Sequence, residues 1–298
     1  MLDDLASRRE IIRLTERLLR DADAYGTLPT PVPQIVRTAG LTEASPMFLS
    51  SNSIAEAPAH LRAALRRVRS KVHAALDRRT REVLINPEVD RGAQGSFKRL
   101  HETAHDLFPW QHLHRDGFAD DAFTLSARTA ELFEQEANQG AAELLFQRSL
   151  FAEMAADYAI GCAAIVELAQ LFGASRHAAF RRYVESHSAA VAGVVLDTSA
   201  HSREPLAFRR FEAICSRSWL ERFEHPGTWP RVMTTSPFTF VAHTRPGEAP
   251  RGWHHVDRNF EAVTLSVDAM SNFYKRFALI WVPKRELFKR RRVLATTI

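Results

Sequence analysis

The stretch from Ser96 to Phe108 reads SFKRLHETAHDLF, and the architecture follows from how it is read. Its centre is His101-Glu102-Thr103-Ala104-His105, with Gly92 and Gly95 upstream and Pro109 just downstream. Ser96 is the expected N-cap, and the pattern predicts a helix over 97–107 that stops before the proline. Side chains four residues apart share one face of a helix, so the two imidazoles converge on one point. Two neutral imidazoles supply two nitrogen ligands, and zinc is the expected ion, a Lewis acid without redox chemistry. Glu102 stands one step around the helix, where its carboxylate takes a proton from a water at an open coordination position.

A third ligand is expected from the next long helix, which begins near Ser126 and carries Glu131, Glu134, Glu136 and Glu143. Glu134 is the expected ligand. Asn138, one turn further on, is placed to hydrogen-bond a ligand from behind. Ala137, Ala141 and Ala142 are small enough to let the two helices approach closely. His112 and His114 are competing nitrogen donors. For a tetrahedral oxyanion, Tyr158, His243, His254 and His255 are candidates by residue type alone.

Moving outward, Ile11, Ile12, Leu14, Leu18 and Leu19 predict an amphipathic helix within 4–24. The run LPTPVP (28–33) breaks it, and a short helix from Gln34 to Ala39 is expected to end at Gly40 as a left-handed cap. Leu61, Leu65, Val68, Val72 and Leu76 form one stripe of a helix expected over 57–79. EVLINPEV (82–89) predicts a short strand, set on a sheet edge by Asn86-Pro87. Helices are expected over about 150–172 and 176–188, with Gly173 and Ser175 as stop and start signals. After residue 190 the texture changes to strand-like runs at 190–196, 206–215, 238–242, 262–267 and 273–282, and Trp253-His254-His255 reads as an exposed β-loop. The expected class is α+β. A mainly helical, zincin-like core with a short edge sheet (1–188) precedes a smaller mixed α/β domain (189–298).

Composition narrows the function classes. With 298 residues, 45% hydrophobic and 25% charged, the chain can bury a sizeable core and is neither disordered nor fibrous. The amino terminus is charged and lacks the apolar core of a signal peptide. Leu144 to Phe172 is interrupted by Gln147, Arg148, Glu153, Asp157 and Glu167, so it reads as a buried helix pair and not a membrane span. Cys162 and Cys215 form no metal or redox spacing and are expected as buried thiols. A cytoplasmic protein without a membrane partner is the expectation. The net charge of +5 comes largely from clusters at 62–81 and 284–292, which read as solvated faces. Arg176, Arg181 and Arg182 follow a helix-turn-helix-like turn at Gly173-Ala174-Ser175. The favoured reading of them is packing beside the catalytic domain or contact with a protein substrate, with DNA binding through phosphate contacts as the alternative.

These residues resemble a family. VLIN (83–86), SFKRLHETAHDLF and LFEQEANQGAAELLF (132–146) are similar to the ImmA/IrrE metallopeptidases. Phe97, His101, Glu102, His105, Glu134, Ala137, Asn138, Ala141, Ala142, Leu144 and Leu145 fall on that family's pattern. LPTPVPQIVRTAGL (28–41) and LAQLFGASRHAAFRRY (168–183) are similar to its flanking helices, so the resemblance spans about 25–185. It implies zinc held by His101, His105 and Glu134, with Glu102 activating water. It also implies a substrate: a helix-turn-helix transcriptional repressor, cleaved to release stress-response or mobile-element genes. A GAF-like sensory module, present in some members, is the implied form of 190–298. The chain departs from the pattern at Thr103-Ala104, Gly140 and Phe146-Gln147, where Leu-Gly, Phe and Met-Pro are usual, and none of these removes a ligand. The competing classes are a DNA-binding regulator with a vestigial core and a ligand-sensing adaptor. An intact Glu102 argues against a vestigial core, which has no chemical need for it.

Overall fold

A computed structural model describes residues 7–44, 74–77, 80–85, 92–113, 127–197, 208–233, 251–259, 261–272 and 274–283. The chain forms two compact units, Met1–Leu150 with Gln170–Ser175, and Phe151–Ala169 with Arg176–Ile298.

In the first unit α1 is Arg8–Asp21 and α2 is Val32–Thr38, followed by β1 (Thr42–Ala44), β2 (Ala74–Asp77) and β3 (Glu82–Ile85). Then come α3 (Ala93–Leu107), α4 (Pro109–Leu113) and α5 (Ala127–Leu145). Helix α1 buries Ile11, Thr15, Leu18 and Leu19, a single stripe, while Glu10–Arg13, Glu16–Arg20 and Arg17–Asp21 pair on its wet side. Gly40 follows α2 with φ +75°, the left-handed position expected of it.

Three local expectations are corrected. Residues 74–77, read as the end of a helix, form strand β2, because they pair antiparallel with β3 from Ala74↔Ile85 to Asp77↔Glu82. Residues 57–73 of that expected helix lie outside the described residues. Strand β3 is central in a β1-β3-β2 sheet, parallel to β1 and antiparallel to β2. Asn86-Pro87 lies outside the described residues, and within them β3 is paired on both sides. The N-cap of α3 is Gly92, not Ser96, and the Ser96 amide donates the first helical bond to the Gly92 carbonyl at 3.2 Å. Gly92 takes φ +66° and ψ −146°, a conformation that suits a residue without Cβ.

Helix α3 is held in rotation by two ion pairs, Arg99–Glu43 and Arg81–Asp106, each at 2.9 Å. Arg81 also donates to the carbonyls of Ala39 (2.8 Å) and Gly40 (3.0 Å), tying the end of α2 to the same point. Behind α3, Ile11, Ala104, Phe108 and Ala137 form one apolar cluster, so α1 backs the contact between α3 and α5. That contact is very close. A Cβ at Gly140 would lie 2.8 Å from the Ala104 Cβ and 2.6 Å from the Phe108 ring. At the end of α5, Gln147 takes the amide of Gly26 and donates to Thr27 and Thr30, closing the 26–30 turn.

The later elements are α6 (Leu150–Ala156), α7 (Cys162–Phe172), α8 (Arg176–Ser186), β4 (Val191–Asp197), β5 (Phe208–Cys215) and α9 (Arg217–Leu220). Strands β6 (Val232–Met233), β7 (Arg251–Val256), β8 (Ala262–Ser271) and β9 (Lys275–Trp281) complete an antiparallel sheet of order β6-β5-β4-β9-β8-β7. Trp253-His254-His255 therefore lies in strand β7 and not in a loop, because it pairs with Val263–Leu265. The expected strand at 238–242 lies outside the described residues. One core of this unit gathers Val194, Leu196, Leu265, Ile280, Trp219 and Phe223. Helix α8 presses Phe180 and Val184 onto Gly193 of β4, where a Cβ would meet the Phe180 ring at 2.7 Å. Asp268 of β8 accepts the Cys162 amide at 2.7 Å and so caps α7. Among the described residues no helix is long and apolar enough to cross a membrane.

The Gly140 contact has a measurable consequence. Alanine there gains about 1 kcal/mol in helix propensity. Overpacking against a backbone-anchored Cβ and a buried ring costs about 1–3 kcal/mol. Gly140→Ala should lower stability by about 1 kcal/mol net, read from the midpoint of urea unfolding. A variant more stable than wild type would contradict the close approach.

Candidate metal centre

Helix α3 buries His101 and His105, which are 6% and 3% exposed, on the face turned to α5. The side chain of Glu134, half exposed on α5, meets them from the solvent side. The two Nε2 atoms are 3.2 Å apart. Glu134 places one carboxylate oxygen 3.2 Å from His101 Nε2 and the other 3.4 Å from His105 Nε2. These three residues form a group able to hold a metal ion. Ligands about 2.0–2.1 Å from a tetrahedral zinc stand about 3.3 Å from one another, so the spacing suits such an ion.

Charge at the site points the same way. Burial first, and then the neighbouring His105, push the His101 imidazole down to about 4, against the opposing pull of Glu134. At neutral pH that ring is uncharged and its lone pair is available. His101 Nδ1 is buried and has no hydrogen-bond partner among the described residues. Glu102 is half-buried on the same turn of α3.

Behind His105 lies a polar cluster that the sequence reading did not single out. His105 Nδ1 is 2.7 Å from Gln111 Oε1, and Gln111 Nε2 donates to Glu136 Oε2 at 2.8 Å. Trp110 donates its indole N–H to the same oxygen at 2.8 Å, and the Ser7 hydroxyl donates to the other. Gln111 is wholly buried and Glu136 nearly so. The available signal was the period: Glu136 falls in step with Phe133, Ala137 and Gly140 on the inward face of α5, where an acid requires partners.

The remaining candidates separate. Asn138 is exposed, one turn beyond Glu134. Glu143 accepts from Gln139, and Glu131 accepts from Gln135. His112 turns its Nε2 to the Asp106 carbonyl at 2.6 Å, while His114 lies outside the described residues. Tyr158 donates to Glu167 at 2.9 Å, which pushes its hydroxyl pKa up. His255 lies tilted against Phe223 and edge-on to Trp229, and His243 lies outside the described residues. Arg181 is paired with Glu212 and Glu185, and Arg176 donates to the Ser271 carbonyl.

An H-E-x-x-H helix facing a carboxylate from a second helix defines the class: a protein with a metallopeptidase-type site. Residues 62–183 match the model of the IrrE N-terminal-like domain, Peptidase_M78. The match is consistent with the ImmA/IrrE family, as the motifs implied. Among solved structures, a Mycobacterium tuberculosis transcriptional regulator is similar at a TM-score of 0.50 and 11% identity, over 93% of this chain and 90% of that one. At that identity the likeness is one of fold alone. No curated protein matches the chain.

The burial of His101 predicts a pH dependence. The folded ring titrates near 4, and an unfolded histidine near about 6.5. Between those values the unfolded state binds the extra proton, so stability is full above the upper value and falls as pH drops towards the lower. The loss is on the order of 3 kcal/mol. His101→Gln in the metal-free chain should flatten this part of the stability profile, measured by urea unfolding at neutral and mildly acid pH. An unchanged slope would show that His101 does not titrate in that window.

Proposed function

We propose that this chain is a zinc-dependent endopeptidase with a zincin-like core, acting in the cytoplasm on a helix-turn-helix transcriptional repressor. The observation that carries the reading is the convergence of two buried imidazole nitrogens and one carboxylate at 3.2–3.4 Å. The IrrE N-terminal-like match over the same helices supports the peptidase class. The repressor substrate, and its link to stress-response or mobile-element genes, are what the similarity to that family implies.

His101, His105 and Glu134 would hold the ion, and Asn138 would steady Glu134 from the solvent side. The chemistry available with zinc in place is Lewis-acid polarisation of the scissile carbonyl. Glu102 takes a proton from the attacking water as the C–O bond forms. It returns that proton to the amide nitrogen as the C–N bond breaks. The neutral state of His101 at physiological pH keeps its nitrogen free to ligate. Exposure of Glu134 leaves an approach from solvent for an extended peptide. Residues 1–188 form the catalytic domain in this reading, and 189–298 a GAF-like sensory domain that tunes it. The ion pairs of Arg181 favour a packing role for α8 over direct DNA contact.

Metal analysis should find about one zinc per chain in wild type and none in His101→Ala. Glu102→Gln should retain the metal yet abolish cleavage of a co-expressed repressor encoded beside this gene, read as loss of the shortened repressor on a gel. Cleavage at the wild-type rate by Glu102→Gln would overturn the mechanism.

A further inference from the structure

Two buried polar side chains that the proposed reaction does not use, Gln111 and Glu136, lie behind His105, and their hydrogen-bonding chemistry allows one arrangement. Glu136, as a carboxylate, only accepts hydrogen bonds. It takes them from Ser7, from the Trp110 indole and from Gln111 Nε2. Gln111 Nε2 also faces the Phe133 carbonyl at 3.4 Å, a second acceptor. Turning the Gln111 amide over would set its oxygen against two acceptor oxygens in a buried site, which is costly. The amide is therefore held with Nε2 towards Glu136 and Oε1 towards His105. At 2.7 Å from His105 Nδ1, that oxygen can only accept, so the ring carries its proton on Nδ1. Nε2 is then left with a lone pair, facing His101 Nε2 and Glu134.

We propose that Gln111, oriented by Glu136, is a positioning residue that locks His105 as the Nδ1–H tautomer with Nε2 ready to ligate. The inference rests on the metal reading above for its purpose, though not for its geometry. It separates the two histidines, because His101 Nδ1 has no corresponding partner among the described residues. The tautomer is set by a carboxylate on α5, acting through one amide on α4, and does not wait for an ion to choose it. Outer-sphere hydrogen bonds of this kind orient a ligating ring and raise its basicity.

The test uses the full chain, metal-free and labelled with ¹⁵N in histidine, with the His105 signals assigned by their loss in His105→Gln. Nitrogen chemical shifts distinguish a protonated from an unprotonated ring nitrogen. Wild type should show protonated Nδ1 and bare Nε2 at His105. Gln111→Leu should abolish that bias. Glu136→Gln, which is isosteric and frees the Gln111 amide to turn, should give a mixture of tautomers. Zinc titration against a competing chelator should show affinity lower by about 10–100-fold in Gln111→Leu, with Glu136→Gln between it and wild type. If Gln111→Leu does not fold, Glu136→Gln carries the test. Protonated Nε2 in wild type, or a tautomer unmoved by the folded variants, overturns the proposal. Tautomer shifts as expected in a chain that binds no zinc would sustain the positioning role and refute the metal reading instead.

Discussion

The close approach of α3 and α5 at Ala104 and Gly140 is the contact on which the site depends. Packed helices usually stand about 8–10 Å apart, set by the side chains between them. Here two small residues bring the backbones together, and short-reaching histidines on one helix meet a glutamate on the other. Distance alone is not enough, because α3 must also present the correct face. Arg99–Glu43 and Arg81–Asp106 hold it against the small sheet from the side away from α5, and Ile11 closes the back. The helix is gripped on several sides, so the histidine pair has little freedom to rotate away.

Burial divides the labour among the polar groups. His101 and His105 are inside, and desolvation keeps His101 neutral at physiological pH. Glu134 is on the wet side, where its charge costs little. Glu136 is the exception, an acid inside the bundle, and it is tolerated because Ser7, Trp110 and Gln111 all donate to it. The same three donors link α1, α4 and α5, so the arrangement that satisfies a buried carboxylate also orients a ring two bonds away. The first unit thus couples fold stability to site geometry through hydrogen bonds and not only through apolar packing.

Much of this was legible in one dimension because it depends on helical periodicity. The i, i+4 histidines, the inward stripe of α1 and the small residues of α5 are all consequences of 3.6 residues per turn. Most of the expectations that failed were those in which pairing between distant segments overrides local preference. Ala74–Asp77 has helical spacing in sequence but is claimed by the edge of β3. β3 itself reads as an edge strand from the proline that follows it, yet it is paired on both sides, with β1 and with β2. Ser96 is a good cap by type, but Gly92 adopts the backbone turn that starts the helix one turn earlier.

The sequence by itself determined the histidine pair and the helices that bear the candidate ligands, since spacing along a helix is a local property. Only the tertiary structure decided which of four glutamates faces the histidines, which one is buried, and what stands behind His105. Those choices depend on the rotation of α5 against α3 and on the chain's return at α4. Both are set by contacts between residues far apart in sequence, to which no local period responds.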